Sequence, residues 1–166
     1  MPDSRVNFIR QQGFERADAR SYDSLYRALM FQPRVIGILV VAGVLLQEPP
    51  LFLTMAAVLF WSALVPALNP FDRLYDAVVG DRTAIPGLTP APRRFAQGLG
   101  ATFMLLTGVS LRQGFDTLAW VLEAFVLLAI GLVIGGGRLC IGSFVFHVLR
   151  GNGEFARRTL PWSRGA

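Results

Sequence analysis

The chain has 166 residues, of which 53% are hydrophobic and 16% charged, with a formal net charge of +5 and a mean hydropathy of +0.48. That is more apolar surface than a soluble domain of this size buries, so a bilayer is expected to take up the excess. The positive charge sits in three short flanks beside apolar runs, with no basic stripe carrying interleaved aromatics, which argues against nucleic acid and for membrane lipids with anionic headgroups as partners.

Residues 1–20 are polar and are expected to be loosely ordered unless a partner holds them. The first thirty residues hold no apolar run of signal length, so the first hydrophobic helix is expected to serve as an uncleaved anchor. From residue 21 to 31, Tyr22, Leu25, Tyr26, Leu29 and Met30 recur at the spacing of one helical face, which predicts an amphipathic helix on the inner membrane surface or packed against the end of a bundle. Pro33 predicts a break near Gln32, followed by a first span near 33–47. Its apolar stretch from Val35 to Leu46 covers only about 18 Å against roughly 30 Å of hydrocarbon, so it is expected to borrow residues from Leu29 onward, with Arg34 reaching the headgroups.

The turn from Gln47 to Pro50 is too short for anything except an antiparallel hairpin, and a second span follows near 51–68. Phe71, Leu74, Tyr75, Val78 and Val79 then mark a second surface helix near 71–79, which Gly80 is expected to stop. Asp72, Arg73 and Asp76 fall on its solvated side. Pro86, Gly87, Pro90 and Pro92 predict an irregular strap. The second hairpin has spans near 95–111 and 118–136, with Gly135 to Gly137 ending or kinking the last. A third surface helix near 139–149 and a basic tail, 152–166, complete a membrane domain over 21–151. The two halves share an order of Pro-Arg, hairpin and one-sided apolar segment, which hints at a parallel repeat.

Six arginines precede the first hairpin, four lie between the hairpins, five follow the second, and only Arg112 lies at a hairpin tip. By the positive-inside rule both termini face the cytoplasm. The predicted fold is therefore all-α: an integral membrane four-helix bundle of two helical hairpins, with interfacial amphipathic helices on the cytoplasmic side.

Few residues inside this frame could carry chemistry. Glu123 is the one charge within a predicted span, near its outer end, where it can reach water or pair with Arg112; a structural role and a proton or ligand role both remain open. Cys140 and His147 lie seven residues apart on one helical face, too far to share a metal ion, and one of each cannot complete a zinc site, so no metal or cofactor is predicted. Cys140 is either a small buried hydrophobe or a reactive thiol helped by the preceding glycines and Arg138. Gly131 and Gly135 form a small-xxx-small pair suited to helix packing, within the chain or with a partner. No phosphate loop, catalytic triad or carboxylate pair is present.

Two motifs are more specific. The run from Ala91 to Gln97 (Ala-Pro-Arg-Arg-Phe-Ala-Gln) leads into the third span, and Arg138 to Ser143 (Arg-Leu-Cys-Ile-Gly-Ser) follows the fourth. Together with the hairpin order they resemble the bacterial membrane family catalogued as domain of unknown function 4395, over roughly residues 25–151. The resemblance implies a small multi-span inner-membrane protein. In that family the second motif often carries two cysteines with two residues between, and members can sit beside rhodanese-like and thioredoxin-like proteins, implying a link to sulfur or thiol chemistry. Here the second cysteine position is Ser143, so Cys140 could form a mixed disulfide or persulfide but could not cycle an internal bond. Two functions are expected to compete: a non-catalytic accessory or structural subunit bound to a protein partner in a larger membrane complex, and a membrane-embedded thiol or quinone-linked oxidoreductase or sulfur carrier using Cys140 with His147 nearby.

Overall fold

The computed structural model describes residues 4–14, 22–80, 85, 88–135 and 138–163. Pro86, Gly87, Gly136 and Gly137, and the start of the expected surface helix at Ser21, lie outside them. Among the described residues the chain is all-helical, with no strand.

The first helix, α1 (Ser4–Gln11), stands where a loosely ordered polar segment is predicted. Burial overrides the polar composition: Phe8, Ile9 and Phe14 pack in one cluster with Leu25, Leu29, Met30 and Val133. The chain itself is the partner that holds this segment. The second helix, α2 (Tyr22–Leu46), runs through Pro33 without the expected break. Proline there removes the bond to the Leu29 carbonyl, a loss of about 3 kcal/mol in a helix interior. Leu25, Leu29 and Met30 on one side and Ile36 and Val40 on the other are buried in adjoining clusters, so packing of both halves carries the helix across the gap. The predicted surface helix and first span are thus one rod of 25 residues, about 37 Å long.

The third helix, α3 (Pro49–Leu64), starts on two prolines, whose missing N–H groups are not needed in a first turn. A 3₁₀ turn (Pro66–Leu68) leads to α4 (Pro70–Val79). The Asn69 side chain caps α4 by accepting from the Phe71 N–H at 3.1 Å, and Gly80, at φ 75°, ends it as predicted. Next come α5 (Ala91–Gln113) and α6 (Asp116–Ile134), joined through Gly114 at φ 75°. The Phe115 N–H returns to the Ser110 carbonyl at 2.9 Å, closing the α5 end. Beyond α6 the chain folds back, with the Leu139 N–H on the Leu132 carbonyl, into α7 (Ile141–Leu149) and α8 (Gly153–Arg158).

Two helices, α2 and α6, are long and apolar enough to cross a membrane; α3 is apolar but shorter. α5 has the length but carries Arg93, Arg94, Gln97 and Arg112. The core lies between the hairpins, where Val40, Phe52, Met55, Leu59, Ala101, Met104 and Val126 are buried together. α3 packs most extensively on α5, and a Cβ added at Gly108 would meet the Leu53 side chain at 2.9 Å. Contacts come in pairs: α2–α3 is matched by α5–α6, α3–α5 by α6–α2, and α2–α4 by α5–α7, as the shared order of the two halves predicts.

Candidate functional site

Polar groups concentrate where α5 begins. Pro90 and Pro92 fix the entry of this helix, and the next residue, Arg93, turns inward and is only 4% exposed. Its guanidinium grips Asp72 of α4 through both carboxylate oxygens, at 2.6 and 3.1 Å, and donates to the Gln32 Oε1 of α2 at 3.1 Å. Gln97, one turn on and therefore on the same face, donates to that oxygen at 2.9 Å. A buried guanidinium is tolerable only with such a fork and paired charge. Asp72 thus does not lie on a solvated face as the sequence predicts; Arg93 draws it in. The cluster ties α2, α4 and α5 together and leaves the buried Gln97 Oε1 without a partner among the described residues.

A second polar seam lies across the first turn of α7. Cys140 is the N-cap residue of that helix, half-buried, with no side-chain cap bond of its own. The Ser143 hydroxyl lies 3.4 Å from the Cys140 sulfur and equally far from the Pro92 carbonyl. Gly142 lets α7 seat directly on α5, since a Cβ there would fall 2.7 Å from the Cα of Ala96. The Cys140 N–H donates to the Gln11 Oε1 of α1 at 2.9 Å, and His147 Nε2 stands 3.0 Å from the Gln11 carbonyl. A carbonyl only accepts, so Nε2 carries the proton. The imidazole is buried against Phe146 and Phe155.

Cys140 and His147 therefore meet the same residue, Gln11, one by its backbone and the other by its ring, and do not meet each other. Arg138 is engaged elsewhere: it donates to the Tyr26 hydroxyl at 2.9 Å, pairs with the Ser4 hydroxyl and lies over the Tyr26 ring.

Glu123 lies at the opposite end of the bundle and is 4% exposed. Its partner is Gln47, whose Nε2 stands 3.0 and 3.2 Å from the two carboxylate oxygens and also donates to the Val44 carbonyl. The expected pairing with Arg112 is not formed; Arg112 stays exposed. Gln47 takes a left-handed backbone at φ 52°, which aims its amide at α6. Gly131 and Gly135 are exposed. No atom of another helix lies within 4 Å of a Cβ added at either position. Among the described residues, no three His, Cys, Asp or Glu side chains converge as a metal site would need.

Gln11, Gln32, Arg93 and Gln97 are absent from the sequence-derived candidates. A signal exists for one pair: Arg93 and Gln97 are four residues apart at the mouth of an apolar helix, which puts two strong hydrogen-bonding groups on one face. Nothing local marks Gln11, because its partners lie more than a hundred residues away.

These features define an all-helical chain with two helices suited to crossing a membrane and a polar, cross-linked end where the termini meet. The family model for a domain of unknown function, DUF4395, matches residues 26–150, and the chain belongs to that family. No curated protein and no solved structure gives a significant match.

Proposed function

We propose that this chain is a four-span inner-membrane protein with both termini in the cytoplasm, acting as a non-catalytic accessory or structural subunit of a larger membrane complex. The observation that carries the subunit reading is the outward turn of Gly131 on α6, with Gly135 exposed at the helix C-cap. Glycines inside the bundle, such as Gly108 and Gly142, are filled by neighbours, whereas a Cβ at Gly131 would meet nothing. A groove of small residues on an exposed apolar helix suits close approach by a helix of another subunit.

Support for the four-span arrangement comes from the outer surface. α2 exposes Ile38 and Leu45, α3 exposes Trp61 and Leu64, α5 exposes Leu106 and Val109, and α6 exposes Trp120 and Phe125. Exposed large apolar side chains on all four helices are more than a soluble monomer usually leaves in water. α3 with its 3₁₀ extension reaches about 30 Å, matching the hydrocarbon. In this reading, which the arginine asymmetry supports, the Arg93 cluster, α1, α7 and α8 face the cytoplasm and Glu123 lies toward the outer surface.

Extraction of the protein from its native membrane in mild detergent, followed by mass spectrometry of what travels with it, tests the subunit reading. A partner at fixed stoichiometry is expected, and its loss on Gly131→Leu. A lone monomer or homodimer would sink the reading.

One observation favours the thiol reading: the Ser143 hydroxyl sits beside the Cys140 sulfur at the start of α7, one turn apart, as the paired residues of a thiol motif would. Under that reading Cys140→Ser abolishes a sulfur-dependent activity at unchanged expression. Under the subunit reading it leaves assembly intact.

A further inference from the structure

α1 packs beside Cys140, which lies half-buried against the cluster that holds Phe8 and Ile9, and it does so from outside the family region, since the match to residues 26–150 excludes α1 and α8 but includes Cys140. One stripe of α1 makes the contacts. Ser4 meets Arg138, Asn7 donates to the Leu160 carbonyl at 3.2 Å, and Gln11 accepts from the Cys140 N–H. Just beyond the helix Gly13, at φ 94°, lies against Pro90 and Pro92, so the segment runs from α8 across α7 to the mouth of α5.

Gln11 is the unusual member. It is fully buried, and while the oxygen of its planar amide caps Cys140, its Nε2 has no partner among the described residues. A buried donor left unsatisfied beside a helix N-terminus is a poor place for a glutamine on its own account. It is held there by Phe8 and Ile9 below and by His147 on its carbonyl. The N–H that Gln11 occupies belongs to the residue carrying the sulfur, so the Gln11 amide is fixed to the backbone of Cys140.

We infer that α1 is a built-in cap on the Cys140 site: Gln11 fills the acceptor position at the start of α7 and restricts access to the thiol. The inference goes beyond both readings above, because it concerns what reaches Cys140 and holds whether or not Cys140 reacts in the cell.

Cys140 is the single cysteine in the sequence, so a water-soluble maleimide reports this site alone. The full chain, in detergent or nanodiscs, is labelled as wild type and as three variants. Phe8→Ala with Ile9→Ala unseats α1 and is expected to speed labelling by about tenfold or more, as local opening becomes easier. Asn7→Ala loosens α1 from the Leu160 end without touching the thiol and is expected to speed it by a few-fold. Gln47→Ala, at the other end of the bundle, is expected to leave the rate unchanged. Far-UV circular dichroism monitors folding; if the double variant loses its helices, Asn7→Ala decides. Equal rates for wild type and Asn7→Ala, or an equal rise in Gln47→Ala, would overturn the cap.

Discussion

The two ends of the described helical body are closed by different means. At the end where the termini gather, side chains from distant parts of the chain hold one another: Arg93 joins α2, α4 and α5, and Gln11 joins α1 to α7. At the opposite end the closures are short-range turns, Gln47 and Gly114, with one long-range bond from Gln47 to Glu123. Buried polar groups are costly unless matched, so placing several at one end makes that end specific about which segments meet there. The other end needs only to reverse direction twice.

This contrast predicts a graded response to mutation. Arg93→Met should be the most damaging change, because it strands Asp72 without its paired cation and leaves the Gln32 Oε1 with Gln97 alone; a loss of about 3–5 kcal/mol is expected, read as a lowered thermal midpoint in detergent. A smaller loss would mean that water already serves the cluster. Gly142→Leu should follow, at about 1–3 kcal/mol, since a side chain there must displace the Ala96 backbone. At the turn end, Gln47→Ala removes one donor from Glu123 and should cost about 0.5–1.5 kcal/mol. A cost equal to that of Arg93→Met would erase the distinction between the ends. Gly131→Leu should leave the chain's own stability within about 0.5 kcal/mol and act only on association, which comparing melting with co-purification would separate.

Much of the helix order is legible in the sequence, because it depends on local chemistry. Gly80 ends α4 at the predicted place, and the hairpin turns fall where polar and glycine residues interrupt apolar runs, although α3 takes in Pro49 and Pro50, which the sequence reading leaves in the turn. The misreadings share a cause. Pro33 reads as a break because the local cost is visible and the packing that offsets it is not. The first residues read as a loose tail because Phe8, Ile9 and Phe14 are sparse among polar neighbours, and their partners lie in α2 and beyond α6. Arg93 reads as one more headgroup arginine, like Arg34, because pattern alone does not say which of two adjacent arginines turns inward; its neighbour Arg94 stays outside and reaches only the Ala63 carbonyl. Of the candidate residues, His147 lies within α7 and Cys140 is its N-cap, and Gln11, which links them, carries no local signature.

The stitching of α1 also has a consequence in time. Asn7 and its partner Leu160 are separated by 153 positions, and Arg138, Cys140 and His147 likewise come late. At about 5–20 residues per second, synthesis leaves α1 without its polar partners for on the order of ten seconds. During that interval α1 can already pack on Leu25, Leu29 and Met30 of α2, but its bonds to Arg138, Cys140, His147 and Leu160 must wait, and Cys140 emerges before Leu160 exists to hold Asn7.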